Sequence, residues 1–303
     1  MEYFLRLLNT QMVLFVYILV GMYARKKAFI TKDNQQQLID LILKILMPCM
    51  IFSSYDQKIT LDVMKKAAMI ITIAFSICIA AIYLGKLLYR KYPYEKSSIM
   101  KYGTIVNNSG FAGLPICSEI FGEVGLFYAS FFLIPNRIFM WTAGISLFEK
   151  ADNKTKWKNV LLNPNIIAVE VGLLFSIFSI RLPSFINYSI EHIGATVSPI
   201  SMMVVGAILA DVDLKTIFDK SVFYMASIRL VLLPLLTLGI ATLFHLDSTV
   251  SGIALVLTSM PVGTTTALLA AKYNADVNFA SKCVFVTTML SLITVPILMM
   301  LIH

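Results

Sequence analysis

Long apolar blocks joined by short polar connections run along almost the whole chain. Each block has about the 20 residues that a helix needs to cross a bilayer. The ten blocks span approximately residues 3–23, 37–54, 64–88, 98–118, 124–148, 160–180, 185–210, 219–244, 249–271 and 277–302. This pattern predicts an all-α polytopic membrane protein with ten transmembrane helices, in which residues 1–303 form a single membrane unit.

The fourth block carries residues that interrupt a helix, in the run Asn107-Asn108-Ser109-Gly110-Phe111-Ala112-Gly113-Leu114-Pro115. Pro115 lacks an N–H group, and its ring clashes with the carbonyl four residues back. Gly110 and Gly113 remove side-chain restraints on the backbone. Pro261 and Gly263 place a second interruption in the ninth block. Because irregular backbone at membrane depth is tolerated only inside protein or beside a cavity, the two breaks predict a transport site.

The two halves of the chain repeat one pattern. Pro48 precedes Pro115 by 67 residues, and Pro199 precedes Pro261 by 62 residues. Residues 1–148 and 160–303 each hold five blocks, and an odd number of helices inverts the second copy in the membrane. The sequence therefore predicts two inverted five-helix repeats, with the site near the midplane between them.

Composition and charge agree with a membrane location. The chain is 58% hydrophobic and 14% charged, against about 25% charged residues in soluble domains. The net charge of +8 is explained by basic cytoplasmic loops and does not indicate nucleic-acid binding. With the N-terminus outside, seventeen Lys and Arg residues fall in inside loops, including the polar loop Glu149–Asn159, and five fall outside. We therefore predict a multi-pass protein of the cell membrane with both termini outside.

The chemistry predicted at the breaks is the capture of an anion. Helix N-termini carry about half a positive charge and free N–H groups, and each break creates such an N-terminus. Polar residues around the breaks add amide and hydroxyl contacts: Asn107, Asn108, Ser109, Ser259, Thr264, Thr265 and Thr266. The alternative is that these side chains satisfy carbonyls freed at a structural kink, such as that of Leu257.

Two arginines lie inside apolar blocks, and such intramembrane charges are functional candidates by default. Arg137 is central in the fifth block beside Asn136, and we predict that both contact the substrate carboxylate. Arg229 in the eighth block is the second candidate. The alternative pairs an arginine with a protein carboxylate such as Glu170, or lets its side chain extend to the membrane surface.

Other chemistry finds no support in the sequence. The cysteines lie apart without a C-x-x-C motif, which argues against a metal or disulfide framework. No hydrolase, metalloprotease or phosphate-binding motif is present. We predict a protein that is not an enzyme and has no cofactor or metal. A membrane-embedded enzyme or sensor, the competing class, would need a reactive cluster or an appended domain.

The broken fourth block resembles the auxin efflux carrier family. Asn108–Pro115 is similar to the family signature N-x-G-F-x-G-L-P, and Asn163–Ala168 is similar to its N-P-x-I-I-A. The region from Met260 to Asp276 resembles the second broken-helix region. Without a long central loop, the chain is similar to the compact bacterial branch, which includes malonate- and malate-type carriers. A departure lies at Thr264–Thr266, where the family often has an asparagine.

The resemblance implies a carrier in two parts. Helices 1, 2, 6 and 7 would form a scaffold and helices 3–5 and 8–10 a transport domain, with broken helices 4 and 9 crossing. It implies elevator-type secondary transport of a small organic or carboxylate anion and a homodimer through the scaffold helices. H⁺ and Na⁺ both remain open as coupling ions. The alternative function is a sodium-coupled organic anion symporter similar to the bile acid sodium symporters.

Overall fold

The computed structural model describes residues 2–55, 60–148, 153–212, 217–273 and 275–301. Part of the predicted polar loop Glu149–Asn159, and the predicted end of the tenth block at residue 302, lie outside these ranges. Secondary structure in the described residues is helical. The single β contact among them is an isolated antiparallel bridge between Asn107 and Val262.

The α-helices follow the apolar blocks, except for one helix, Asn153–Leu161, which lies largely in the stretch predicted as a polar loop. They are α1 (Glu2–Lys26), α2 (Lys32–Leu41), α3 (Met47–Ser53), α4 (Leu61–Leu88), α5 (Tyr94–Ile105), α6 (Leu114–Phe139), α7 (Asn153–Leu161), α8 (Pro164–Ile177), α9 (Ser184–Ala195), α10 (Val197–Leu209), α11 (Lys220–Ser227), α12 (Leu233–Leu243), α13 (Ser248–Thr258), α14 (Thr265–Lys272) and α15 (Val277–Met299). Within α6, Gly122 has φ of +65° and turns the chain where the sequence predicts the connection between blocks four and five.

Wide π-helical turns join several of these helices, and three of the turns lie directly before a proline-containing helix start. The turns Ile42–Leu46, Ser109–Gly113 and Ile228–Leu232 each precede a helix with proline in its first turn. A proline cannot donate to the carbonyl four residues back and clashes with it. A π turn widens the helix at that point and accommodates the ring.

Several of these stretches have the length and apolar composition to cross a membrane. Among the described residues they are Lys32–Ser53, Leu61–Leu88, Ser109–Leu147, Ser184–Leu209, Lys220–Leu243 and Val277–Met299, with shorter apolar helices at Pro164–Ile177 and Ser248–Thr258. The predicted all-helical, multi-pass membrane protein is therefore confirmed. The count of ten spans and the inverted repeat stay predictions.

Two groups of close helix contacts can be distinguished, and α15 packs against members of both, α1 and α13. In one group, α1 lies along α10, and α3 lies against α8 and α9. In the other, α6 packs against α4 and α13, and α12 packs against α13. The α1–α10 contact is close because Gly21 faces the backbone of Met203 and Gly206 faces the backbone of Ile18, where a side chain would collide. Small residues allow such close helix contacts in membranes.

Candidate functional site

The two helix breaks meet and satisfy each other's backbone. Helix α5 ends at Ile105 and α13 ends at Thr258. The segment that follows each of them is irregular until the next helix begins. The Asn108 N–H donates to the Pro261 carbonyl at 2.8 Å, and the Gly263 N–H donates to the Val106 carbonyl at 3.0 Å. These two bonds form a short antiparallel bridge across more than 150 residues of sequence. The breaks predicted separately therefore form one structure, with part of their free backbone paired inside the protein.

Asn107 binds the two breaks together through its side chain. Its amide nitrogen donates to the Leu257 carbonyl at 2.6 Å, and its amide oxygen accepts from the Asn136 amide at 2.9 Å. The same oxygen also accepts from the Ser109 N–H at 3.2 Å. The structure thus places Asn107 where the alternative interpretation put it, on a carbonyl freed at the kink.

Asn108 faces a cleft between the two groups of helices. The polar lining of this cleft also includes Gln11 of α1 and Thr288 and Ser291 of α15. The rest of the lining is largely apolar: Leu14, Ile18, Ala112, Ile116, Met202, Val205, Met260, Pro261 and Leu292. Sequence reasoning missed Gln11, Thr288 and Ser291, although each is a polar residue inside an apolar block.

Arg137 lies on the Gly110 side of the same turn. It is 7% exposed, its Nη1 is 3.4 Å from the Met140 sulfur, and its Nε has no hydrogen-bond partner. A Cβ placed on Gly110 would lie 2.9 Å from the Arg137 Nη2 and 2.7 Å from the Met47 Cε. Gly110 therefore leaves the space that the guanidinium group occupies. None of the ion pairs among the described residues involves Arg137.

Arg229, the second candidate, has different surroundings. It is 1% exposed and donates to three backbone carbonyls, those of Thr258 at 2.7 Å, Met260 at 3.1 Å and Thr104 at 3.4 Å. Glu170, the predicted candidate partner, is exposed on α8 and is in no ion pair of the described residues. The structure brings Arg137 and Arg229 to the crossing and leaves Glu170 away from both.

The hydroxyl groups divide between structural contacts and unpaired positions. Ser259 donates to the Leu255 carbonyl at 2.7 Å, and Thr265 accepts from the Tyr102 hydroxyl at 3.2 Å. Thr264 is buried, and the buried hydroxyls of Ser109 and Thr266 have no partner. Unpaired buried hydroxyls are costly, so these two are available to a ligand or to water.

The predicted helix-breaking residues lie in and around the crossing. Gly110 and Gly113 lie in the π turn, and Pro115 lies in the first turn of α6. Pro261 and Gly263 lie in the irregular segment after α13. No group of His, Cys, Asp and Glu among the described residues is arranged to hold a metal ion.

Comparison with known proteins gives one family and two relatives. Residues 8–159 and 153–299 match the model of a family described as membrane transport protein. An uncharacterized transporter of Methanocaldococcus jannaschii is 25% identical over 301 residues, which cover 96% of this chain and 97% of that protein. An uncharacterized transporter of Methanothermobacter thermautotrophicus is 24% identical over 297 residues, 95% of this chain and 96% of that protein.

Proposed function

The chain belongs to the membrane transport protein family, the auxin efflux carriers that its motifs resemble, and on that basis we propose that it is a secondary carrier of a small organic anion. The observation that carries this proposal is Arg137. It is a buried guanidinium group without a carboxylate partner among the described residues. A buried charge in that state is unfavourable, and a carboxylate from the substrate would pair it.

We place the substrate carboxylate at the turn Asn108–Gly110. The helix resumes there. The N–H groups of Asn108 and Ser109 are bonded to Pro261 and Asn107, so the N–H groups of Gly110 and Phe111 are the ones that would face an anion. The Asn108 side chain lies on the cleft side of the turn and Arg137 on the other. A charge at ~6 Å still contributes roughly 3 kcal/mol at an effective dielectric constant of about 20. The apolar walls of the cleft would then hold the organic part of the substrate.

The packing supports an elevator mechanism for this carrier. We assign the group with α1, α3, α8, α9 and α10 to the scaffold and the group with α4, α6, α12 and α13 to the transport domain, on the basis of their contacts. The cleft has Gln11 of α1 on one wall and Thr288 of α15 on the other. In the proposed cycle the transport domain carries the anion past the scaffold. The cell-membrane location, the outside termini and the homodimer through scaffold helices belong to the same proposal.

A binding experiment tests the role of Arg137. A thermal-shift screen of the purified protein against benzoate, a monoanion, and malonate, a dianion, at constant ionic strength first establishes which is bound. We expect Arg137→Gln to weaken that binding at least about tenfold, because the attraction between the anion and a positive charge at ~6 Å, roughly 3 kcal/mol, is lost. Arg137→Lys restores only part of it, since an ammonium group on a flexible stem keeps the charge but does not hold it in the same position.

The stability of the same variant separates substrate contact from structure. Without ligand, Arg137→Gln is expected to melt at or above the temperature of the wild type, because the variant no longer buries an unpaired charge. A folded variant with unchanged affinity for the bound anion would contradict the proposal. So would a loss of stability with affinity intact, which would make Arg137 a structural residue.

A further inference from the structure

Arg229 joins the ends of two half-helices. The last carbonyls of a helix lack intrahelical partners, and a helix C-terminus carries about half a negative charge. Helix α5 ends at Ile105 and α13 ends at Thr258, so both C-termini point into the crossing. The guanidinium nitrogens donate to the carbonyls of Thr104 at 3.4 Å, Thr258 at 2.7 Å and Met260 at 3.1 Å. One side chain therefore pairs with both negative helix ends.

Carbonyl groups at such helix ends bind a cation in other carriers. In carriers built from broken helices, the C-terminal ends of the half-helices and the unwound carbonyls coordinate the coupling cation. In this chain those carbonyls already accept hydrogen bonds from a cation that is part of the protein. Arg229 is 1% exposed, and no described carboxylate pairs with it. The carbonyls are thus its principal partners, and they neutralise it.

We propose that Arg229 is a tethered cation that takes the place of a coupling sodium ion at the crossing, and that the protein binds its anion without sodium. The charge balance supports this assignment. Two helix C-termini with about half a negative charge each are matched by one guanidinium group. The two helix N-termini and Arg137 remain for the anion. The part of this inference that concerns the anion rests on the proposed function. The part that concerns the carbonyls does not.

The first experiment uses the wild-type protein. Its melting temperature is measured in sodium chloride and in choline chloride at equal ionic strength, without substrate and with the carboxylate found in the thermal-shift screen. We expect no difference between the two salts in either condition. A melting temperature or an anion affinity that is higher in sodium would overturn the proposal. If no carboxylate binds at all, the proposed function fails, but the comparison without substrate still tests the tethered cation.

The second experiment removes the Arg229 side chain and adds a soluble guanidinium compound to replace it. Arg229→Ala leaves three carbonyls without their donor, and we expect its melting temperature to fall on the order of 5 °C or more. Ethylguanidinium at low millimolar concentration is expected to restore part of the loss, whereas ethylurea, which has a similar shape but no charge, is not. Arg137→Ala is the matched control, because no carbonyl of the described residues bonds to Arg137 and ethylguanidinium has no such bonds to restore.

Two results of the second experiment would overturn the assignment. One is an Arg229→Ala protein that melts like the wild type. The other is equal rescue by ethylurea, which would show that hydrogen bonding matters and the charge does not. If Arg229→Ala does not accumulate, Arg229→Lys is used in its place, since it keeps the charge. Its melting temperature must then be independent of sodium, as in the wild type, and sodium dependence would contradict the proposal.

Discussion

Two adjacent asparagines at the first break face different surroundings. Asn107 uses both ends of its amide to hold Leu257, Asn136 and Ser109, whereas the Asn108 side chain lines the cleft. The same residue type therefore serves structure at one position and is open to a ligand at the next. The reason is geometric, since consecutive side chains at an irregular turn point in different directions.

This division predicts opposite phenotypes for two alanine variants. Asn107→Ala is expected to lose about 2–3 kcal/mol of stability, because its buried partners are left unsatisfied. Asn108→Ala is expected to melt like the wild type and to bind the anion about 10- to 150-fold more weakly, as for a lost hydrogen bond to a charged group. Melting curves and binding titrations on both proteins provide the measurement, with each variant serving as the control for the other. Unchanged affinity of a folded Asn108→Ala protein would remove Asn108 from the site.

At the scale of elements, the π turn Ser109–Gly113 determines the space around Arg137. Gly110 lies between the Arg137 guanidinium group and Met47, which begins α3. The turn therefore joins a helix of the proposed transport domain to one of the proposed scaffold. There is no space for a methyl group at position 110 unless Arg137 or Met47 moves.

We expect Gly110→Ala to impair anion binding more than stability. The added Cβ would lie 2.9 Å from the Arg137 Nη2, and the flexible ends of Arg137 and Met47 can move away from it. That movement displaces a charge that acts on the anion from ~6 Å, so a loss of about threefold or more in affinity is expected. Gly239→Ala is the control, because nothing lies within 4 Å of a Cβ placed on Gly239. Equal affinity of the two variants would show that the position of Arg137 is unimportant.

The first half of the second broken helix is fixed at its start by Asp247. This residue caps α13, and its Oδ1 accepts from the Thr249 N–H at 2.9 Å and the Val250 N–H at 3.4 Å. Its other oxygen lies 3.4 Å from the Lys66 ammonium group of α4. Partial burial raises the pKa of the Asp247 carboxyl, but the two backbone N–H groups and Lys66 outweigh it and leave the pKa below its usual value.

The pH dependence of this cap follows from the lowered pKa. An acid whose folded pKa is depressed stabilises the fold above its unfolded pKa of about 3.9. That stabilisation is lost as the pH falls through the folded value. We therefore expect Asp247→Asn, which keeps a capping oxygen, to melt below the wild type at pH 7 and to converge with it below about pH 4. Asp247→Ala also loses the cap, at a cost of about 1 kcal/mol. A gap between wild type and Asp247→Asn that persists at low pH would contradict this account.

At the scale of the whole molecule, the predicted topology puts successive loops on opposite sides of the membrane. Single cysteines at Glu123 and Ser248 are expected to react with an impermeant thiol reagent added outside, and one at Lys158 only from inside. All three positions are exposed. The native cysteines provide a low background, since Cys78, Cys117 and Cys283 are buried and Cys49 is partly buried. Labelling of Glu123→Cys and Lys158→Cys from the same side would exclude the inverted ten-helix arrangement.

The sequence by itself determined the class of the protein and the location of its breaks. Apolar blocks of bilayer length require helices, because lipid offers no hydrogen-bond partners to the backbone. Proline and glycine act on their own neighbourhood, so the interruptions near Pro115 and Pro261 could be located from local residues alone. The motif around Asn108–Pro115 was specific enough to indicate the family, which the family match over both halves of the chain confirmed.

Only the tertiary structure decided which polar residue does what at the crossing. Asn107 finds its carbonyl partner 150 residues away at Leu257, and Arg229 finds one 125 residues away at Thr104. No local pattern encodes these pairings. The two intramembrane arginines look equivalent in sequence, yet the fold surrounds Arg229 with helix-end carbonyls and leaves Arg137 without an anionic partner among the described residues. The difference arises because a buried charge is defined by what surrounds it, and those groups come from distant parts of the chain.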